Sequence, residues 1–154
     1  MSLSPGDAAP DFTLPTDGDG AVTLSALKGG AVVVYFYPKD NTPGCTKEAE
    51  AFRDMEGDFA AANTKIIGIS KDSVARHDKF KAKFSLNFTL AADEEGEVCE
   101  KFGIWVEKNL YGRKYMGIER STFLIDKTGA IQEIWRKVRV KGHVEKVLDA
   151  AKAL

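Results

Sequence analysis

From Ala31 to Tyr37 the chain runs Ala-Val-Val-Val-Tyr-Phe-Tyr without a polar residue. An unbroken β-branched and aromatic run of this length predicts a central strand covered on both faces. Pro38 ends it. Before it, Asp11 to Thr16 alternates and meets Asp17-Gly18-Asp19-Gly20, which turns into Val22-Thr23-Leu24; this predicts an opening hairpin. After it, Ala49, Phe52, Met55, Glu56 and Phe59 recur at helical spacing and predict a helix from Thr42 to about Ala62. Lys65 to Ser70 reads as a second buried strand. Asp72 or Ser73 caps a further helix carrying Val74, His77, Phe80 and Phe84 on one side. Phe88 to Ala91 is a short strand, and Asp93 opens a helix with Val98, Cys99 and Phe102 that Gly103 stops.

The stretch from Glu107 to Glu119 mixes Lys108, Gly112, Arg113, Lys114 and Gly117 with Leu110, Tyr111, Tyr115 and Met116. It is expected to be an irregular loop, either a docking loop or a satellite packing loop. Ser121 to Asp126 and Ala130 to Trp135 flank Lys127-Thr128-Gly129 as a hairpin, and Lys141 to Leu154 closes the chain as an amphipathic helix with Val144, Val147, Leu148 and Ala151 inward. Strands alternating with helices, then a hairpin and a helix, predict one α/β domain over residues 1–154 with a mixed sheet.

Chemistry enters at the end of the first buried strand, in Pro38-Lys39-Asp40-Asn41-Thr42-Pro43-Gly44-Cys45-Thr46-Lys47-Glu48. Thr42 offers an N-cap oxygen, Pro43 suits the first helical position, and Cys45 falls at the third. A thiol there faces amide N–H groups with no intrahelical partner and the positive end of the helix dipole, a setting that favours its thiolate. A free cysteine is more often a small buried hydrophobe, but the polar turn around Cys45 argues for a nucleophile. A phosphate-binding loop would use the same geometry, yet the required Gly-rich spacing ending in Lys-Ser or Lys-Thr is missing.

Composition narrows the function classes. A net charge of −1 gives no electrostatic reason to expect nucleic acid or an anionic membrane as partner. No apolar run is long enough to span a bilayer, and Met1 to Pro10 holds no hydrophobic signal core, so a cytoplasmic protein is expected. Two cysteines 54 positions apart make neither a disulfide framework nor a zinc site. His77 and His143 stand in no metal-ligand spacing and read as solvated or partly packed helix residues. Asp93-Glu94-Glu95 reads as a solvated helix start.

The order of elements, with a cysteine opening the helix after the first core strand, resembles the thioredoxin fold. Cys45-Thr46-Lys47-Glu48 is not the Cys-x-x-Cys of thioredoxin-like reductases; Pro38, Thr42 and Cys45 instead match the Pro-x-x-x-Thr-x-x-Cys motif of the peroxiredoxins. Thr42-Pro43-Gly44-Cys45-Thr46, Ala91-Ala92-Asp93, Val98-Cys99-Glu100-Lys101-Phe102-Gly103 and Arg120-Ser121-Thr122-Phe123-Leu124-Ile125-Asp126 are similar to the bacterioferritin comigratory protein branch, PrxQ. The similarity runs from about Gly6 to the C-terminus. It implies a thioredoxin-like fold, a mixed central sheet flanked by helices with an N-terminal β-hairpin. It also implies a monomeric thiol peroxidase needing no cofactor, acting on hydroperoxides with an external thiol such as thioredoxin, glutaredoxin or glutathione.

The resemblance also implies roles. Cys45 would attack one peroxide oxygen and become a sulfenic acid, Thr42 would hold the peroxide or simply cap the helix, and Pro38 would shield the thiolate. Arg120 would approach from a separate strand and stabilise both thiolate and breaking O–O bond, for which a permanently charged, multi-donor guanidinium is suited. Glu48 would orient Arg120 or serve as a first-turn acid. Many PrxQ proteins carry a resolving cysteine five residues after the first, or in the next helix; those positions here are Glu50 and about Lys81. Cys99 alone remains, and its apolar neighbours Val98 and Phe102 favour core packing over resolution. A one-cysteine mechanism is therefore expected, against a two-cysteine mechanism with Cys99 resolving. The rivals from other classes are a glutathione-using transferase and a peroxide sensor or redox-regulated interaction module.

Overall fold

The computed structural model describes residues 3–154. Met1 and Ser2, the start of the expected single domain and of the segment read for a signal core, lie outside the described residues. Strand β3 (Ala31–Phe36) forms on the apolar run and is buried along its whole length. Because side chains alternate across a strand, β3 supplies both cores. Val32, Val34 and Phe36 pack on one face with Cys99, Phe102 and Phe123; Val33, Tyr35 and Tyr37 pack on the other with Cys45, Phe52, Phe59 and Phe80.

Around β3 a seven-stranded mixed sheet assembles in the order β2 (Gly20–Thr23), β1 (Thr13–Thr16), β5 (Thr89–Ala92), β4 (Thr64–Ser70), β3, β8 (Ser121–Ile125), β9 (Ile131–Trp135). β3 pairs in parallel with β4, Val34 opposite Ile67, and antiparallel with β8, Val34 opposite Phe123. β1 and β2 form the expected opening hairpin, and β8 and β9 the expected closing one. The helices are α1 (Pro43–Ala61), α2 (Val74–Phe84), α3 (Glu97–Lys101) and α4 (His143–Lys152). Ser73, not Asp72, caps α2, accepting the Arg76 amide at 3.2 Å.

Helix α1 turns Cys45, Glu48, Ala49, Phe52 and Phe59 inward, the spacing of one helical face. Phe52 stacks on Tyr35 with centroids 4.5 Å apart. Burying an aromatic side chain of this kind contributes about 1.5–3 kcal/mol, and the ring pair about 0.5–1.5 kcal/mol more. This contact ties the helix that carries the thiol to the strand that precedes it.

The structure corrects three expectations. Residues 107–119 are not an irregular loop: β6 (Trp105–Leu110) and β7 (Arg113–Ile118) form a separate two-stranded hairpin. Its link is Tyr111-Gly112, both in the left-handed region at φ 53° and 79°, the conformation of a tight hairpin turn whose twist matches the strands. His77 and His143 are neither solvated nor only partly packed. His77 is fully buried, and His143 is buried against Thr122, its Nε2 2.8 Å from the hydroxyl. Burial holds His143 down at about 4, so it is neutral at physiological pH. Asp93 is likewise buried rather than solvated, its carboxylate accepting the amides of Val98 and Cys99 at 3.3 and 2.8 Å; Glu94 and Glu95 are exposed.

Candidate active site

Pro43 occupies the start of α1, with Thr42 at the N-cap in extended geometry (φ −101°, ψ 155°) and Cys45 in the first turn, as the sequence predicts. The capping bond itself is not made. Thr42 Oγ1 donates back to the Lys39 carbonyl at 2.9 Å, closing the 39–42 turn instead of accepting a helix amide. The first-turn donors of α1 are therefore not taken up by their N-cap side chain. Cys45 is 1% exposed. A ligand reaching it must be small.

Arg120 comes from the link between β7 and β8, where the sequence reading put it on a strand. Its Nη2 donates to Cys45 Sγ at 3.3 Å, and its Nη1 donates to Glu48 Oε1 at 2.7 Å. Cys45 and Glu48 are three residues apart on one helix, so a single planar guanidinium spans them. Gly44 makes room for this approach: a Cβ there would lie 3.3 Å from Arg120 Nη2. Glu48 is not a first-turn acid. It sits in the second turn of α1, fully buried, and forms an ion pair with Arg120.

Burial pushes Glu48 up to about 7, even though the charge of Arg120 and its hydrogen bond pull the other way. Desolvation outweighs the ion pair because one carboxylate oxygen, Oε2, is buried with no hydrogen-bond partner. The sign for stability follows. Between the ordinary value of 4.5 and about 7 the folded state keeps a proton that the unfolded state releases, so this group lowers stability as pH rises through that window. Glu48→Gln should gain stability relative to wild type across the same window, by on the order of 3 kcal/mol once above it. Urea unfolding at a series of pH values checks this; a pH-independent difference would refute it.

Other candidates are placed less centrally. Pro38 follows β3 and is exposed. Cys99 is fully buried in α3, in the core on the opposite face of the sheet from Cys45. Burial, with Asp93 beside it, pushes the Cys99 thiol far up, and both cysteines are free. Glu50 and Lys81 bring no sulfur near.

Sequence reasoning missed three contributors. Tyr35 lies in the core beneath Cys45; burial, and then the charges of Glu48 and Cys45, oppose its ionisation. Gly68 on β4 leaves space for it, since a Cβ there would fall 2.8 Å from its ring. A glycine interrupting the isoleucines Ile66, Ile67 and Ile69 of this strand was the available signal. Lys108, on β6, is depressed by burial and by Arg120, while the charge of Cys45 raises it, which brings the hairpin to the edge of this site. Among the described residues no group of His, Cys, Asp and Glu is arranged to hold a metal ion, and no helix is long and apolar enough to cross a membrane.

A thiol at a helix start, a guanidinium on its sulfur and a carboxylate holding that guanidinium can deprotonate, attack and stabilise departing negative charge. The comparisons agree with that chemistry. Residues 5–134 match the AhpC/TSA family model. The chain is 50% identical to Peroxiredoxin Bcp of Bacillus subtilis, over 99% of this chain and 97% of the relative. It is 46% identical to Peroxiredoxin Bcp of Xanthomonas campestris, over 93% and 89%. Among solved structures it is similar to a mutant PrxQ of Xylella fastidiosa, with a TM-score of 0.94, 40% identity, and 99% and 98% of the chains covered. It is also similar to the bacterioferritin comigratory protein of X. campestris, studied for alkyl peroxide reduction, at TM-score 0.89, 45% identity, and 92% and 90% coverage.

Proposed function

We propose, from the premise that the chain belongs to the AhpC/TSA family and is a thiol-dependent peroxidase of thioredoxin-like peroxiredoxin fold, that Cys45 carries the reaction alone, by a one-cysteine mechanism. The observation behind this reading is the 3.3 Å contact of Arg120 Nη2 with Cys45 Sγ at the start of α1. The Cys45 thiolate attacks one oxygen of ROOH; the S–O bond forms as the O–O bond breaks, and RO⁻ leaves and takes a proton as ROH. Sulfur is oxidised and the peroxide reduced. Arg120 offers directed N–H donors where negative charge moves from sulfur to oxygen. Thr42 positions the peroxide through its hydroxyl, Pro38 screens the entrance, and Glu48 fixes the guanidinium.

Return to the thiolate then takes two external thiols. The first displaces hydroxide, released as water, from the sulfenic acid to give a mixed disulfide; the second releases Cys45 and leaves as the oxidised disulfide. The substrates proposed are hydrogen peroxide and organic hydroperoxides, the latter in line with the X. campestris relative, and the reductant thioredoxin, glutaredoxin or glutathione. A monomer in a reducing cytoplasm suits a chain with two unpaired thiols. The relatives favour neither a glutathione transferase nor a peroxide sensor.

The separation of the cysteines supports the one-cysteine reading. A disulfide needs Cα atoms within about 7 Å, and here the sheet lies between the two cores that hold them. The expected outcome is that Cys99→Ser retains turnover with a small dithiol and shows no marked rise in overoxidation to sulfinic acid. Non-reducing peptide mapping after one equivalent of peroxide is the direct test. A Cys45–Cys99 disulfide as main product, with faster overoxidation of the variant, would replace this mechanism by the two-cysteine one.

A further inference from the structure

The loop that presents Cys45 is held by a buried polar cluster that the peroxidase chemistry does not use. Asp40, five residues before Cys45, is 3% exposed. Its Oδ1 accepts the Tyr37 hydroxyl at 2.5 Å and its Oδ2 stands 2.6 Å from His77 Nδ1 on α2, while its backbone N–H donates to Asp72 Oδ2 at 2.8 Å. His77 Nε2 lies 3.0 Å from the Ala91 carbonyl on β5. A carboxylate and a carbonyl only accept, so both ring nitrogens donate and the imidazole carries a positive charge. Burial alone would lower the His77 pKa, but the hydrogen bond and charge of Asp40, with the Ala91 carbonyl and the charge of Asp72, together raise it. A second, exposed tie lies beside the first: Lys83 Nζ on α2 donates to Asn41 Oδ1 at 3.2 Å, next to Asn41's left-handed turn at φ 62°.

A loop this firmly tied has a consequence for a thiol that is 1% exposed. A hydroperoxide is far smaller than a protein thiol, and for the larger partner so little exposed sulfur is a steric barrier. We propose that the Asp40–His77 ion pair is a positioning latch: closed, it holds residues 38–42 and the first turn of α1 in the geometry that meets peroxide, and it parts when a bulky thiol must reach oxidised Cys45. This rests on Cys45 being the nucleophile. Asp40 and His77 touch neither sulfur nor substrate; they act through the loop. The charged groups facing His77 are Asp40 from the loop and Asp72 from the β4–α2 link, the latter shared with Arg76 at 2.9 Å; Tyr37 faces it from the end of β3, and β5 offers only a carbonyl. With the folded His77 value raised, the latch is fully charged below the ordinary histidine value of about 6.5 and is lost as pH rises through the folded one.

The test separates oxidation from reduction. In His77→Gln, stopped-flow oxidation by hydrogen peroxide should slow about tenfold, while reduction of the sulfenic acid by thioredoxin should speed up severalfold relative to reduction by dithiothreitol. A merely structural role would move both steps the same way or neither, and either result overturns the latch. Tyr37→Phe, which removes one donor from Asp40 and keeps the ring, should give the same split on a smaller scale. Wild-type protein supplies an arm that survives misfolding of the variants. Nitrogen NMR should find His77 doubly protonated at pH 6, and amide exchange over residues 40–46, corrected for intrinsic rate, should rise as that proton is lost. A neutral ring at pH 6, or exchange indifferent to its titration, overturns the proposal. The exchange arm uses no peroxide, so it fails or succeeds independently of the assignment of Cys45.

Discussion

Cys45→Ser is expected to reduce peroxide consumption to background while the protein stays folded. The loss is near total because a serine hydroxyl in this position holds its proton at neutral pH and, even deprotonated, could only exchange one O–O bond for another, leaving the peroxide unreduced. Stabilising the transition state through Arg120 cannot compensate, since the guanidinium acts on charge that the hydroxyl never develops. The fold should tolerate the change: the side chain is close in size, it remains in a first turn with nearby amide donors, and Arg120 still has Glu48 as partner. The measurement is peroxide consumption with excess thiol, alongside far-UV circular dichroism and thermal unfolding. Activity within tenfold of wild type in a folded variant would end the assignment of the nucleophile.

Arg120→Met should slow the first oxidation by at least tenfold, about 1.4 kcal/mol of transition-state stabilisation, with a larger loss consistent with other buried anion-binding donors. Methionine keeps an unbranched chain of similar reach, so the substitution mainly removes the two donors, to Cys45 at 3.3 Å and to Glu48 at 2.7 Å. It leaves Glu48 buried without its cation. Breaking a buried pair on one side commonly costs about 3–5 kcal/mol, but a carboxyl already raised to about 7 can take a proton instead and lose less. The variant should therefore be less stable at pH 8 than at pH 6, relative to wild type. Adding Glu48→Gln should restore much of the stability and none of the rate. Stopped-flow oxidation, with unfolding measured in parallel, reads both effects; an unchanged rate would make Arg120 a structural residue only.

The site was legible where chemistry and local structure coincide in one stretch. Thr42, Pro43 and Cys45 declare a helix start in the sequence, and the apolar run before them declares the strand that aims it. Arg120 could be assigned only through a family motif, because it lies 75 positions from Cys45 and no periodicity links the two. The Asp40–His77 pair was illegible for the same reason: a histidine on an amphipathic helix looks alike whether its face meets solvent or a buried carboxylate 37 positions away. Glu48 shows the limit of helix-end rules, which read an acid near a helix start as a dipole partner and cannot see that the face it shares with Cys45 is turned inward. The β6–β7 hairpin escaped detection because its strands are mostly exposed on both faces, so no apolar alternation marks them. Only the Tyr111-Gly112 turn records its register.

The antiparallel pairing of β3 with β8 sets the order in which this chemistry can come into being. Val34 meets Phe123 across 89 positions, so the loop that this pairing closes is among the slowest contacts for a chain of this size to make. During synthesis the strand, loop and helix that hold Cys45 emerge long before β8. Until β8 docks beside β3, the residue just ahead of it, Arg120, has no fixed place, and the thiol exists without its guanidinium. On the proposed roles, full reactivity toward peroxide belongs to the completed topology rather than to the cysteine-bearing segment alone.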